Sequence, residues 1–259
     1  MHNAALVALG MVDWRYQLLP VPPARFLETV RALPDAGFVG ANVTIPHKHA
    51  ALALADTAGE TARAIGAANT LMFAADGAVA AENTDAPGFL AALGVPPRGM
   101  SALVLGAGGS ARAVVWALRE AGAREVSIWN RTPERAAALA RDLGVRAAAA
   151  PEAADLLVNC TSVGLEPGPA SLKQSATEAQ GLNLPAVTFD QVGTYAHVVD
   201  LVYSSSPTPL LAAARSHGVR IVTGLEVLLA QGALSFELWT GVRPPLEVMR
   251  RALDQSDQQ

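Results

Sequence analysis

Ser101-Ala-Leu-Val-Leu-Gly106-Ala-Gly108-Gly109-Ser110-Ala-Arg-Ala113 is the stretch that decides how this chain folds. Residues 102–105 form a short apolar run of the kind a buried parallel strand needs. The run stops at Gly106-Ala107-Gly108-Gly109. Residues 113–118 follow at helical spacing and end near Gly122, and residues 125–129 read as a second strand. Strand, glycine turn, helix and strand within about 30 residues make one βαβ unit.

The small residues have physical tasks. Gly106 lets the chain turn sharply off the strand, Gly108 leaves room for a pyrophosphate to approach the backbone, and Ala113 lets the helix lie close on the strand. The helix start offers free N–H groups and a positive dipole end to phosphates. A tight turn without a ligand also uses glycine, but the flanking strand and helix favour a dinucleotide held by Gly106, Ala107, Gly108, Gly109 and Ser110. The end of the second strand then chooses the cofactor. NAD-binding units place an acid there for the ribose 2′-hydroxyl. This chain has Asn130-Arg131-Thr132 instead, and Arg135 shares a helix face with Arg131. Two arginines and no acid suit a 2′-phosphate, so the reading is NADP.

Working outward, 259 residues suit one large or two ordinary domains. With 51% hydrophobic and 16% charged residues, the chain can build a substantial core. A net charge of −4 gives no reason to expect nucleic acid or an anionic membrane as partner. Cys160 is the one cysteine, which excludes a disulfide framework and a cysteine metal site, and no metal-binding pattern surrounds His47 and His49. No apolar run approaches a membrane span, and the start lacks the pattern of a signal peptide, so the expected location is cytoplasmic. Of the 19 basic residues only Lys48 and Lys173 are lysines. In a chain that otherwise uses arginine, a lysine marks a place where an amine is required.

In chain order the pattern predicts a helix over 2–9, a strand over 15–19, a helix over 24–33 opened by Pro23, and a strand over 38–43. His47-Lys48-His49 begins a helix that runs to about Ala55, and another spans 60–65, closed by Gly66. Residues 69–73 and 78–81 flank Asp76-Gly77, a hairpin signal. A helix over 86–93 and a linker over 94–99 lead into the βαβ unit. Beyond it come a helix over 134–143, strands over 145–148 and 155–159, and a poorly patterned region over 161–197. A strand over 198–202, a helix over 209–216, a strand over 219–222, punctuation at Gly224 and helices over 227–239 and 246–253 complete the chain. Strand and helix alternate in both halves, which argues two α/β layers.

Three pieces of the first half carry candidate chemistry. Asn42-Val-Thr44-Ile-Pro-His-Lys48 puts polar side chains at a strand end, where open α/β sheets bind ligands, and a lysine in a helix's first turn. The helix dipole disfavours a cation there, which favours Lys48 as a proton donor. The other pieces are Asn69-Thr70 and Asn83-Thr84-Asp85. Taken alone, Asp85 reads as the N-cap of the helix over 86–93. Near Lys48 it can orient the amine and share protons with it.

These pieces do not stand alone. Asn42 to Lys48, Gly66-Ala-Ala-Asn69-Thr70, Asn83-Thr-Asp85-Ala-Pro-Gly88, Gly106-Ala-Gly-Gly-Ser110, Asn130-Arg-Thr132, Asn159-Cys-Thr-Ser-Val-Gly164, Asp200-Leu-Val-Tyr203 and Thr223-Gly224 with Gln231-Gly232 cover nearly the whole chain. In that order they resemble the shikimate dehydrogenase family. The resemblance implies reversible, NADPH-dependent reduction of 3-dehydroshikimate to shikimate, on the route to chorismate and the aromatic amino acids. It implies a two-domain α/β fold with the active site in the cleft. A Rossmann-like NADP-binding domain would span 95–224, and an open α/β substrate domain would combine 1–94 with 225–259. Lys48 would give the proton to the C3 carbonyl, or take it in reverse, with Asp85 as partner. Asn42, Thr44, Asn69, Tyr203 and Gln231 would join them in binding substrate. Glu60, Leu201 and Gly224 would join the glycine turn and Asn130, Arg131, Thr132 and Arg135 at the cofactor. The implied partner is a small molecule, no metal is needed, and a homodimer is allowed. Two rival readings are a relative that uses NAD on quinate or shikimate, and a non-catalytic relative that binds nucleotide or a shikimate-like ligand.

Two departures from the family pattern carry expectations. The family sets a strand and a Ser-x-Ser segment before its Met-His-Asn helix, and the resemblance gives those serines the substrate carboxylate. This chain begins at Met1-His2-Asn3, from which weak binding of 3-dehydroshikimate with an intact proton-transfer pair is expected. The stretch 181–196 is longer than the pattern leads one to expect, and Ser204-Ser205-Ser206 replaces an Asn-Pro pair.

Overall fold

The computed structural model describes residues 1–161, 163, 186–203 and 207–256. Lys173, Gly164, residues 181–185 and Ser204-Ser205-Ser206 lie outside the described residues. The chain divides into two compact units, Met1–Ala91 with Arg112–Ala117 and Leu228–Gln259, and Ala92–Ala111 with Leu118–Val227.

The first unit opens with α1 (His2–Ala8), a 3-10 turn (Pro23–Arg25) and α2 (Phe26–Ala32). There follow β1 (Gly40–Asn42), α3 (Lys48–Leu54), β2 (Thr57–Ala58), α4 (Glu60–Ile65), β3 (Thr70–Phe73), β4 (Val79–Glu82) and α5 (Asp85–Leu93). The sheet order is β1-β3-β4-β2, with β3 antiparallel to both neighbours and β2 parallel to β4. The Asp76-Gly77 turn closes the β3–β4 hairpin, and the Asp76 carboxylate accepts from Ala78 N at 3.0 Å. Side chains alternate across a sheet. Leu71, Val79 and Ala81 therefore point to one face and pack with Phe26, Val30, Ala51, Leu54 and Ala62. Thr70 and its register partner Asn42 point to the other face.

The strand expected over 15–19 does not form. Tyr16 is instead held by one side chain: its N–H donates to Asn3 Oδ1 at 2.8 Å, and Asn3 Nδ2 donates to its carbonyl at 2.9 Å. An asparagine amide can imitate a strand neighbour for a single residue, which leaves no ladder to extend.

The second unit holds β5 (Ser101–Leu105), the two ends of α6 (Gly109–Glu120), β6 (Glu125–Trp129), α7 (Pro133–Leu143), β7 (Arg146–Ala147), β8 (Leu156–Asn159), α8 (Phe189–Val192), β9 (His197–Asp200), α9 (Pro209–Ser216) and β10 (Arg220–Val222); the middle of α6, Arg112–Ala117, counts with the first unit. All pairings are parallel, in the order β10-β9-β8-β5-β6-β7. That is the doubly wound arrangement, whose order reverses between β5 and β8. Its core includes Leu103, Leu105, Leu157, Val198 and Leu210. The helix α8 lies in the poorly patterned region and is started by a capping box, in which Thr188 N donates to Gln191 Oε1 at 2.8 Å and Gln191 N to Thr188 Oγ1 at 3.3 Å.

The chain ends with α10 (Gly224–Thr240) and α11 (Leu246–Ser256). In the first unit, Leu229, Phe236, Met249 and Leu253 from these helices bury Ala5 and Leu6 of α1. Gly224 is the first residue of α10 rather than a break before it. A second capping box explains the earlier start: Thr223 N donates to Glu226 Oε2 at 2.8 Å, and Glu226 N to Thr223 Oγ1 at 3.3 Å.

Candidate active site

Lys48 begins α3 and is only 7% exposed. Burying an amine is costly unless an opposite charge meets it, and Lys48 Nζ donates to Asp85 Oδ2 at 2.7 Å. Asp85 is free for this because it does not cap α5. Asn83 does that work, with its Oδ1 accepting from Ala86 N at 3.2 Å and its amide donating to Ala67 O at 2.9 Å. The second carboxylate oxygen of Asp85 accepts from Asn69 Nδ2 at 2.9 Å.

Asn69 is the hub of a buried polar cluster. Its Oδ1 accepts from Thr84 N at 2.7 Å, and its amide also donates to Thr84 Oγ1 at 2.9 Å and reaches Gln231 Oε1 at 3.2 Å. Gln231 comes near because α5 and α10 touch at Gly88, where a Cβ would stand 2.7 Å from the Gln231 backbone. Asn42 donates from Nδ2 to Ser235 Oγ at 2.8 Å and accepts from Tyr16 OH at 3.2 Å. The first unit thus gathers Asn42, Lys48, Asn69, Asp85 and Gln231. Thr44 lies two residues past β1 with its side chain exposed. Tyr203 belongs to the second unit, follows β9, and is 51% exposed.

Tyr16, Thr84 and Ser235 were not among the site residues expected from sequence. Ser235 stands four residues after Gln231 and so shares its helix face, a signal that periodicity could have supplied. Thr84 sits inside the Asn83-Thr84-Asp85 motif. Tyr16 had no signal, since the expected strand at that position does not form.

In the second unit the glycine turn falls where the strand order reverses. Gly106 has φ +109, and a Cβ there would lie 3.0 Å from Cys160 O, so no other residue fits without strain. Gly108 has nothing within 4 Å of where a Cβ would be, and Gly109 and Ser110 open the 12-residue helix α6. Open space before a helix N-terminus fits a pyrophosphate. Asn130 braces the turn after β6 by donating to Thr132 O at 2.9 Å. Arg131 and Arg135 are exposed, and no acid stands between Asn130 and Pro133. Leu201 N donates to Asn159 O at 3.0 Å, and the start of α10 presses on this segment, since a Cβ on Gly224 would stand 2.5 Å from Val202 O. Nearby, Asp200 is fully buried and accepts from Asn159 Nδ2 at 2.9 Å and Thr208 Oγ1 at 2.6 Å, while burial pushes its carboxyl above the ordinary range. Glu60 is exposed at the start of α4 in the first unit.

Comparison with known proteins agrees across the chain. Residues 1–71 match the family model for the shikimate dehydrogenase substrate binding domain, residues 93–162 that for shikimate / quinate 5-dehydrogenase, and residues 224–253 that for the shikimate 5'-dehydrogenase C-terminal domain. A protein of Methylobacterium radiotolerans named shikimate dehydrogenase (NADP(+)) is 49% identical over 253 residues, which is 92% of this chain and 85% of that protein. One of the same name from Methanopyrus kandleri is 43% identical over 271 residues, 98% of this chain and 89% of its own. The crystal structure of a shikimate 5-dehydrogenase from Thermus thermophilus in complex with NADP(H) and shikimate matches with a TM-score of 0.82 at 40% identity, over 98% of this chain and 92% of that one. The α/β fold with its doubly wound sheet, the conserved order of the matches and the level of identity lead to one conclusion: the chain belongs to the shikimate dehydrogenase family of NADP-dependent oxidoreductases.

Proposed function

We propose that the chain catalyses the reversible, NADPH-dependent reduction of 3-dehydroshikimate to shikimate, with the first unit supplying most of the substrate contacts and the second most of the cofactor contacts. The observation that carries this reading is the Lys48–Asp85 pair, an almost buried amine 2.7 Å from a carboxylate amid amide and hydroxyl side chains. The names of the relatives supply the substrate and the cofactor.

Reduction of a carbonyl leaves charge on its oxygen, and an acid must stand beside it. NADPH, when bound, supplies the hydride. Lys48 Nζ gives its proton to the oxygen on C3 and takes one back in the reverse direction. Asp85 Oδ2 holds Nζ in place and offsets its charge, while Asn69 holds Oδ1. Side-chain amides such as those of Asn42, Asn69 and Gln231 can both donate and accept, a chemistry that suits the several hydroxyls of a cyclic polyol acid once substrate exchanges for some of their protein partners. Thr44 and Tyr203 complete the proposed substrate set. On the cofactor side, residues Gly106 to Ser110 would hold the pyrophosphate, Asn130, Arg131, Thr132 and Arg135 the adenosine phosphate, and Glu60, Leu201 and Gly224 further parts of the dinucleotide. A cytoplasmic location belongs to the same reading.

The test is to supply purified protein with shikimate and either NADP+ or NAD+ and follow reduced nicotinamide by absorbance. Turnover with NADP+ and shikimate, much reduced with NAD+, is expected. No turnover of shikimate by folded protein, or equal use of quinate and NAD+, would overturn the proposal.

A further inference from the structure

Asn42 is gripped at both ends by residues that no motif marks. Tyr16 OH donates to its Oδ1 at 3.2 Å, and its Nδ2 donates to Ser235 Oγ at 2.8 Å. The amide cannot turn over freely, because Nδ2 also faces the carbonyl of Asn69 at 3.4 Å, and a carbonyl only accepts. Ser235 is fully buried. Its hydroxyl lies 3.1 Å from Thr70 Oγ1 and 3.1 Å from Thr84 Oγ1, and it donates back to Gln231 O at 3.1 Å. Thr84 in turn meets Asn69, which holds Asp85. One buried hydroxyl therefore joins the β1 side of the cluster to the side that carries the proton-transfer pair.

We infer that Ser235 and Tyr16 are positioning residues, which fix the direction and place of the Asn42 amide and through it the recognition of a substrate hydroxyl. The inference rests on the proposed placement of shikimate at Asn42, Lys48 and Asp85. Neither residue takes part in proton transfer. Losing either one removes one of the restraints on the Asn42 amide and loosens its placement, so substrate must order it further on binding. That cost falls on binding rather than on the chemical step, and it belongs to KM.

The experiment is a pair of double-mutant cycles on the full chain, Ser235→Ala with Asn42→Ala and Tyr16→Phe with Asn42→Ala. Readouts are kcat and KM for shikimate, KM for NADP+ and melting temperature. Each single change at 235 or 16 should raise KM for shikimate about 3- to 10-fold, the worth of one neutral hydrogen bond, with kcat within about twofold. In the Asn42→Ala background the same changes should leave KM for shikimate nearly where Asn42→Ala alone puts it, because the group they position is gone. Ser235→Thr should restore most of the wild-type KM. An unchanged KM in both single variants, or an equal rise with and without Asn42, overturns the inference. If Asn42→Ala itself leaves KM unchanged, or the unaltered protein does not turn shikimate over, the underlying placement of substrate fails and the inference with it. Tyr16→Phe keeps the question decidable should Ser235→Ala fold poorly.

Discussion

In the proposed reaction Lys48 is the proton donor, because an amine, unlike a guanidinium, can give up its proton. Lys48→Ala is expected to lower kcat by about 10²–10⁴-fold while KM for shikimate changes little. Lys48→Arg should be nearly as inactive, although it keeps the charge. Steady-state kinetics on both variants checks this, and a Lys48→Arg enzyme with wild-type kcat would remove Lys48 from the mechanism. The pair also bears on stability. Asp85 keeps only 18% of its side-chain surface exposed, and removing the amine leaves a largely buried, uncompensated carboxylate. Lys48→Ala should therefore lower the melting temperature. Adding Asp85→Asn should recover part of that loss and none of the activity, a split that calorimetry and kinetics together can read.

At the scale of elements, the site depends on how closely two helices approach. The contact of α5 with α10 at Gly88 brings Gln231 and Ser235 up to Asn69 and Thr84. A Cβ at position 88 meets backbone, not a flexible side chain, at 2.7 Å, so one element must shift. Gly88→Ala is expected to cost about 1–3 kcal/mol of stability and to raise KM for shikimate. The dissociation constant for NADPH should stay unchanged, because its proposed contacts lie elsewhere. Titration of NADPH fluorescence against the variant tests this, and weakened NADPH binding would contradict it. In the second unit, the turn from β6 into α7 carries the proposed phosphate contacts. Arg131→Ala combined with Arg135→Ala should weaken NADPH at least about tenfold and barely alter NADH, since each charge-assisted contact is worth about 1.5–3 kcal/mol. Equal losses for the two cofactors would show that the arginines do not read the 2′-phosphate.

For the molecule as a whole, the buried titratable groups set how stability varies with pH. His2 is 3% exposed, both its ring nitrogens lack a hydrogen-bond partner among the described residues, and burial pushes it down to about 4. Unfolded chains take up that proton below about 6.5, whereas the folded chain resists until about 4. The unfolded state binds more protons in this window, so stability falls as pH drops through it. Asp200 acts in the opposite sense. Burial raises its carboxyl, the folded state keeps the proton above the ordinary 3.8, and its contribution declines as pH rises through the folded value. Urea midpoints should therefore drop between pH 6.5 and pH 4, and His2→Leu should flatten that slope. An unchanged slope in the variant would show that another group governs the acid limb.

Local pattern sufficed for much of the fold. The helices Glu60–Ile65 and Pro209–Ser216 and the strand Glu125–Trp129 form over the residues their periodicity marks. The glycine turn falls at the start of α6, and the Asp76-Gly77 hairpin closes as expected. In each case the deciding interaction lies within a few residues, so the sequence itself holds the information. Tertiary structure decided the rest. Residues 15–19 read as a strand by alternation, but a strand needs a neighbour, and Asn3 supplies hydrogen bonds to only one residue. Asp85 reads as a cap until Asn83 takes that role and Lys48 approaches from 37 residues away. Ser235 meets Asn42 across 193 residues. Composition, motifs and spacing were enough to read α/β structure in both halves of the chain, a glycine turn of the dinucleotide-binding kind, and the lysine that the proposed function uses. Which hydroxyls and amides gather around Asn69 and Asp85 was settled only by packing. Hydrophobic period fixes the face a residue occupies, whereas a buried polar group takes whichever partner the opposing element brings within 3 Å, a requirement of burial that no local pattern encodes.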